Sequence, residues 1–132
     1  MAKKLRVLIV DDSELMCTHL AHVLSDVEGT EVVGAALTVA DAYHSLEKIA
    51  PDLAILDYDL PDGSGIDIIK RIRDKGYPST IAIFTHYPYA QYQKKCLEAG
   101  ADHFFDKYTD FEKLLGVVRK LNRKHAEPAD QG

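Results

Sequence analysis

Tryptophan and cysteine are scarce in this chain. The sequence has no tryptophan and only two cysteines, Cys17 and Cys96, among its 132 residues. Both cysteines fall within helical patterns, which favours small buried apolar side chains in a reducing compartment over a structural disulfide. The apolar runs, such as Leu53–Leu56, have the length of strands and are far too short to span a membrane. We therefore expect a cytoplasmic protein without a membrane segment or a disulfide framework.

The chain has no large excess of charge of either sign, with 16 Lys and Arg against 21 Asp and Glu. The formal net charge is −5, and 46% of the residues are hydrophobic. The basic residues cluster only at the end of the last predicted helix, where the helix dipole favours cations. We therefore expect no nucleic-acid binding by this domain. The length suits one compact domain, predicted over residues 1–124, followed by a flexible C-terminal tail over residues 125–132.

Strand-like and helix-like segments alternate five times along the chain. The predicted strands are Leu5–Val10, Glu31–Ala36, Leu53–Asp57, Thr80–Thr85 and His103–Phe105. Capping boxes at Thr38 with Asp41 and at Thr109 with Glu112 open the second and fifth predicted helices. This alternation predicts an α/β fold, a doubly wound five-stranded parallel sheet of the flavodoxin-like (βα)₅ type with strand order 2-1-3-4-5.

Ligands of such a sheet bind at the carboxyl ends of its strands. Those ends carry Asp11, Asp12, Asp57, Thr85 and Lys107. Each residue alone has an ordinary structural explanation, as a helix cap, a turn residue, a strand-end hydroxyl or a surface lysine. Together they would place three carboxylates at one point, where like charges repel. A divalent cation and a lysine ammonium would neutralise such a cluster.

Oxygen ligands with room for water are typical of a magnesium site. Magnesium beside a carboxylate nucleophile is the arrangement that transfers a phosphoryl group to aspartate. That reaction depends on positioning and charge neutralisation, here through the metal, Lys107 and the Thr85 hydroxyl. The sequence therefore indicates phosphoryl-transfer chemistry at this edge of the sheet.

The chain resembles the receiver domains of bacterial two-component response regulators, chemotaxis receivers among them, from about Leu5 to Lys124. The resemblance rests on four motifs that match in order and spacing: the pair Asp11-Asp12, the signature Asp57…Leu60-Pro61…Gly65, Thr85 and Lys107.

The resemblance implies that Asp57 accepts a phosphoryl group from a histidine kinase or a phosphotransfer protein. It also implies that Asp11, Asp12, Asp57 and the backbone carbonyl of Asp59 hold Mg²⁺, with Asp11 helping partly through water. Lys107 would pair first with Asp57 and later with the phosphoryl group. Beyond this self-phosphotransfer and autodephosphorylation, the resemblance implies no enzyme activity.

The same resemblance gives two residues a part in switching. Thr85 would move to hydrogen-bond the phosphoryl oxygen, and Phe104 would follow it as the switch aromatic, although a core ring is also an ordinary role for Phe104. The surface that changes would be formed by the fourth helix, the fifth strand and the fifth helix. Its partner would be an unknown output protein or a lost C-terminal effector, and the domain would be a monomer or a phosphorylation-dependent dimer.

Two positions depart from the family pattern. His86 follows Thr85 where receivers usually have a small residue, and Tyr108 follows Lys107 where they usually have proline in a cis peptide. A ring beside the acyl phosphate would obstruct the attack of water, so His86, with Tyr87 adding to it, is predicted as a possible gate of the site.

Three other interpretations remain open from the sequence. Asp57 and Asp59 after a hydrophobic strand suggest a phosphatase of the haloacid-dehalogenase type, but Pro61 stands where that family has a small hydroxylated or branched residue. A flavodoxin-like flavin binder would need a phosphate loop after the first strand, where the acidic pair would repel phosphate. A receiver-like adaptor that no longer accepts phosphate would keep the fold and only bind partners.

Overall fold

The computed structural model of the protein describes residues 3–126. The main sheet contains β1 (Leu5–Val10), β2 (Thr30–Ala36), β3 (Leu53–Leu56), β6 (Thr80–Thr85) and β7 (His103–Asp106). The helices are α1 (Glu14–Ser25), α2 (Val39–Lys48), α3 (Gly65–Asp74), α4 (Ala90–Ala99) and α5 (Phe111–Ala126). A small antiparallel ribbon of β4 (Asp59–Leu60) and β5 (Gly63–Ser64) lies in the sequence between β3 and α3.

The main sheet is parallel, with the strand order β2-β1-β3-β6-β7. Counted along the main sheet alone, this is the predicted order 2-1-3-4-5, so the predicted fold is confirmed. The ends of the two central strands lie side by side, because Val10 pairs with Leu56 in the β1–β3 register. The residues that follow these two strands therefore emerge next to each other at the carboxyl edge.

The sheet separates two hydrophobic clusters. Alternate residues of β1 point to opposite faces, so Leu8 packs with α2 and α3 while Ile9 packs with α1 and α5. Each fully buried aliphatic side chain contributes about 1.5–3 kcal/mol relative to exposure. Cys17 and Cys96 are free and buried, one in each cluster, as the sequence predicts.

Side-chain caps begin three of the helices, and Ser13 caps α1, because its hydroxyl accepts a hydrogen bond from the amide of Met16 at 3.1 Å. Thr38 caps α2 as predicted, because its hydroxyl accepts a hydrogen bond from the amide of Asp41 at 3.0 Å. A capping box opens α3: the Ser64 hydroxyl accepts from the amide of Ile66 at 3.1 Å, and the Asp67 carboxylate accepts from the amide of Ser64 at 3.0 Å. The sequence carries the signal of this box, a Ser followed three residues later by Asp, but the predictions above do not include it.

The predicted capping box at Thr109 is wrong by one residue. Helix α5 begins at Phe111, and the carbonyl of Asp110 accepts from the amide of Leu114 at 3.0 Å. The side chain of Asp110 accepts from the amide of Asp106 at 2.9 Å, and this local bond across the turn before α5 fixes Asp110 at the helix start.

The far end of α5 lies slightly beyond the predicted domain boundary. The helix continues through His125 to Ala126, so the first two residues of the predicted tail are helical. The rest of that tail, residues 127–132, lies outside the described residues. Within the described part of the chain, no helix combines the length and apolar composition that crossing a bilayer requires.

Candidate functional site

Two buried carboxylates extend the central strands by one residue each. The amide of Asp57 donates to the carbonyl of Val10 at 2.8 Å, and the amide of Asp11 donates to the carbonyl of Ala36 at 3.0 Å. The parallel ladder thus continues past each strand and fixes both aspartates at the carboxyl edge. Asp11 is 2% exposed and Asp57 is 6% exposed, so two carboxylates lie together in a largely dry environment.

Lys107 adds a buried positive charge to these two carboxylates. Its backbone amide donates to the carbonyl of Thr85 at 2.9 Å, which places the residue directly beyond β7. Its ammonium nitrogen lies 2.5 Å from Oδ2 of Asp11 and 3.1 Å from Oδ2 of Asp57. The Lys107 side chain is only 3% exposed. A buried cation therefore contacts both buried carboxylates, which lowers the cost of burying them.

The remaining charge of the cluster suits a divalent cation. Carboxylate oxygens of Asp11, Asp12 and Asp57 all lie within 4.8 Å of one another, and Asp12 is exposed to solvent. Three carboxylates against one ammonium leave an excess of negative charge. Such an all-oxygen site with access to water fits Mg²⁺.

The two buried carboxylates differ in how their oxygens are used. Oδ1 of Asp11 accepts from the amide of Ser13 at 2.9 Å, and its Oδ2 contacts Lys107. Oδ2 of Asp57 accepts from Lys107, but its Oδ1 is buried without a hydrogen-bond partner among the described residues. A buried carboxylate oxygen without a partner is costly, so this atom is the one suited to a metal ion or a phosphorus centre.

The same geometry shifts two pKa values. Burial raises the pKa of Asp57 above its usual range, although the nearby charge of Lys107 acts in the opposite direction. Burial alone would lower the pKa of Lys107, but its hydrogen bond to Asp11 and the charges of Asp57 and Asp11 outweigh burial, and the net pKa shift is upward. Lys107 therefore stays cationic at neutral pH.

A cleft of about 160 Å³ opens onto the carboxylates. Two residues that were not predicted as site residues, Ser13 and Met16, line this cleft. The other lining residues are seven of the predicted site residues: Asp11, Asp12, Asp57, Asp59, His86, Tyr87 and Lys107. Ser13 and Met16 follow the acidic pair closely, at the cap and in the first turn of α1, and this position in the sequence is the signal that could have identified them.

The two predicted switch residues lie outside the lining of this cleft. Thr85 ends β6 and is fully buried, and its hydroxyl accepts from the amide of Tyr87 at 3.1 Å. Phe104 lies on β7 beside Ile83 and is partly buried against the cluster that contains α2 and α3. A partly buried ring at this position is compatible with both predicted roles of Phe104, the switch aromatic and the core ring.

The two residues that depart from the family pattern contact each other. The rings of His86 and Tyr108 lie 4.4 Å apart between centroids, at 38°. The amide of Tyr108 donates to Oδ1 of Asp106 at 2.8 Å, a hydrogen bond that proline has no N–H to make. Because His86 follows β6 and Tyr108 lies beyond β7, the contact between their rings joins the two loops beside the cleft.

Close packing explains why the signature ends with a glycine, Gly65. Gly65 begins α3, and an added Cβ there would collide with the backbone carbonyl oxygen of Asp57. Its amide donates to the carbonyl of Tyr58 at 2.9 Å. Only a residue without a side chain lets helix α3 start this close to the backbone of Asp57.

Comparisons with known proteins show the family of the chain. The family model for the response regulator receiver domain matches residues 7–119. The chain belongs to the response-regulator receiver family. A solved CheY-like receiver domain protein from Methanospirillum hungatei JF-1 has a TM-score of 0.82 at 27% identity, covering 94% of this chain and 97% of that one.

The curated relatives are longer proteins. The sensory transduction protein LytT of Bacillus subtilis (strain 168) is 33% identical over 119 residues, which are 90% of this chain and 48% of LytT. Protein-glutamate methylesterase/protein-glutamine glutaminase 4 of Hahella chejuensis (strain KCTC 2396) is 33% identical over 121 residues, 90% of this chain and 30% of that enzyme. The chain spans about half the length of most of the curated relatives it matches.

Proposed function

We propose that this receiver domain is a magnesium-dependent phosphorylation switch in which Asp57 is the phosphoacceptor. The observation that carries the proposal is the buried Oδ1 of Asp57, which has no hydrogen-bond partner among the described residues and lies in a cluster with two further carboxylates and one buried lysine. The donor would be a phosphohistidine of a histidine kinase or a phosphotransfer protein. Oδ1 of Asp57 would form the new bond to phosphorus as the bond between phosphorus and the histidine nitrogen breaks.

The hydrogen bonds favour Asp57 over Asp11 as the nucleophile. Both oxygens of Asp11 are engaged, one by the Ser13 amide and one by Lys107. Asp57 has one oxygen held in place by Lys107 and the other available. A nucleophile that is oriented by one atom and free at the other is suited to in-line attack.

Asp11, Asp12, Asp57 and the backbone carbonyl of Asp59 would hold Mg²⁺, with Asp11 acting partly through water. When bound, the metal supplies positive charge that offsets the negative charge of the transferring phosphoryl group. The excess negative charge of the carboxylate cluster and the position of Asp59 on the cleft support this ligand set.

Other side chains would respond to the phosphoryl group. Lys107 would exchange part of its contact with Asp57 for a phosphoryl oxygen, since its buried ammonium already lies 3.1 Å from that carboxylate. The Thr85 hydroxyl would donate to the phosphoryl group, and Phe104 would follow it. This movement would shift the population of two arrangements of the face formed by α4, β7 and α5.

The partners of the domain follow from the family. The output would pass to an unknown protein or to a C-terminal effector, and the domain would act in the cytoplasm as a monomer or a phosphorylation-dependent dimer. The proposal includes no enzyme activity beyond self-phosphotransfer and autodephosphorylation, and no nucleic-acid or membrane binding by this domain.

The test is incubation of the protein with a small-molecule phosphodonor, with and without Mg²⁺, followed by intact mass spectrometry. We expect the mass of one phosphoryl group to be gained only with Mg²⁺. No gain would favour the receiver-like adaptor, and turnover of a phosphomonoester without a stable gain would favour the phosphatase alternative.

A further inference from the structure

An aspartate outside the carboxylate cluster joins two separate elements. Asp62 lies in the turn of the β4–β5 ribbon, and its carboxylate accepts hydrogen bonds from two amides of helix α2. Oδ1 accepts from the amide of Val39 at 2.7 Å, and Oδ2 accepts from the amide of Ala40 at 3.0 Å. These hydrogen bonds span 23 and 22 residues of sequence, so they are tertiary contacts.

Two side chains, those of Thr38 and Asp62, accept hydrogen bonds from the first amides of α2. The first N–H groups of a helix have no partner within the helix. The amide of Asp41 is satisfied locally by Thr38, whereas those of Val39 and Ala40 are satisfied by Asp62. The bonds from Val39 and Ala40 lower the pKa of Asp62, so it remains an anion at the positive end of the helix dipole.

The ribbon needs such an anchor because it is very short. It contains two pairs, Asp59 with Ser64 and Leu60 with Gly63, and an isolated ribbon of this size is not stable in water. The capping box of α3 holds the end of the ribbon at Ser64. Asp62 holds its turn, so α2 and α3 together fix the ribbon.

This ribbon carries Asp59 into the cleft beside Asp11, Asp12 and Asp57. A backbone carbonyl cannot change its direction by rotating a side chain, and its position therefore depends on how the ribbon is held. We propose that Asp62 is a positioning residue for the metal site, acting through the ribbon on the carbonyl of Asp59. This inference rests on the proposed function, since it assumes that Mg²⁺ binds in this cleft.

Thermodynamic linkage gives the inference a reciprocal consequence. If the anchor of the ribbon on α2 strengthens metal binding, metal binding strengthens that anchor by the same factor. The start of α2 would then respond to the metal although none of the proposed ligands lies on that helix.

The first experiment is a calorimetric titration of the full chain with MgCl₂, which measures its Mg²⁺ affinity. We expect Asp62→Ala to weaken Mg²⁺ affinity by roughly fivefold or more, the lower range of typical coupling between sites. Asp62→Asn keeps one oxygen acceptor and should recover part of the affinity. Thr38→Ala is the matched control, because it removes a cap from the same helix end without touching the ribbon, and it should bind Mg²⁺ as the wild type does.

The second experiment is residue-resolved amide exchange of the wild type with and without Mg²⁺. We expect Mg²⁺ to slow exchange at Val39 and Ala40 more than at Asp41, whose amide is held by Thr38. This measurement needs no variant, so it decides the matter even where Asp62→Ala does not fold.

The outcomes separate the two proposals. A wild type that binds no Mg²⁺ would overturn the proposed function together with this inference. A wild type that binds Mg²⁺, with equal affinity in Asp62→Ala, would overturn the inference alone. Equal losses in Asp62→Ala and Thr38→Ala, or equal slowing at all three amides, would also overturn it, because the effect would then belong to the helix end in general.

Discussion

The ammonium group of Lys107 lies 3.1 Å from Oδ2 of Asp57, whereas Oδ1 of the same carboxylate has no hydrogen-bond partner among the described residues. One oxygen is thus stabilised and the other is buried at a cost in folding free energy. The raised pKa of Asp57 has the same cause, since burial disfavours the charged form. Functional sites often contain such a group, whose pKa is shifted by burial beside a specific charged partner.

The first prediction concerns stability without metal. Because the pKa of Asp57 is raised in the folded protein, folding favours its protonated form, and its ionisation destabilises the fold as the pH rises through the folded pKa. In a chelator-containing buffer we expect Asp57→Asn to unfold at a higher temperature than the wild type at about pH 7. The difference should shrink towards the ordinary aspartate pKa of about 3.9.

Thermal unfolding followed by circular dichroism at several pH values measures this difference. Asp59→Asn is the control, since that side chain is exposed and should change the transition little. A wild type more stable than Asp57→Asn at neutral pH without Mg²⁺ would contradict the explanation of the raised pKa.

The second prediction separates the metal ligands from the lysine. Asp12→Ala removes a proposed carboxylate ligand, so Mg²⁺ affinity should fall about tenfold or more, or 1.4 kcal/mol. Lys107→Ala removes a competing cation, so affinity should be unchanged or higher. The same variant should lose about 3–5 kcal/mol of stability without Mg²⁺, because two buried carboxylates lose their buried partner.

Calorimetric titration with Mg²⁺ and denaturant unfolding provide these two measurements. Equal losses of Mg²⁺ affinity in Asp12→Ala and Lys107→Ala would contradict this division of roles.

The third prediction concerns the ring of His86 at the cleft. Its contact with Tyr108 holds the imidazole beside the cleft, where a ring is bulkier than a small side chain and obstructs the line along which water attacks. We expect His86→Ala to hydrolyse its acyl phosphate faster than the wild type, with little change in pH dependence. Tyr108→Ala removes only the contacting ring and should give a smaller increase.

The measurement is the rate of loss of the phosphoryl mass from wild type and both variants at several pH values. A slower His86→Ala variant would show that His86 assists hydrolysis as a base.

The fourth prediction concerns the output face. Amide exchange with and without a phosphoryl mimic, with Mg²⁺ present in both samples, should change most between Thr85 and Leu121. The reason is that Thr85 ends β6 and contacts the loop before α4 through the amide of Tyr87. A change confined to α1 and α2 would point to a different output face.

Most of the fold and the centre of the site could be predicted from local sequence patterns. The fully buried strand β3 is a continuous apolar run, and parallel strands bring their carboxyl ends to one edge. That geometry predicts that Asp11, Asp57 and Lys107 lie together, and the Lys107 ammonium contacts both carboxylates. The register of β1 against β3 shows why, since Val10 and Leu56 end side by side.

Two side-chain hydrogen bonds explain what the sequence patterns do not predict. Nothing local in the sequence shows that the carboxylate of Asp62 reaches two amides of α2, which lie 23 and 22 residues away. Asp110 starts α5 in place of Thr109, and its side chain accepts from the amide of Asp106 in the preceding turn. Asp and Thr are both common at helix starts, so residue type alone does not decide between these two neighbours.

The central claim is that Asp57 itself accepts the phosphoryl group. The most direct test is intact mass spectrometry of wild type, Asp57→Asn and Asp59→Asn after incubation with a small-molecule phosphodonor and Mg²⁺. Asp59→Asn keeps the backbone carbonyl proposed as a ligand, so we expect it and the wild type to gain one phosphoryl group and Asp57→Asn to gain none. A full mass gain in Asp57→Asn would contradict the assignment.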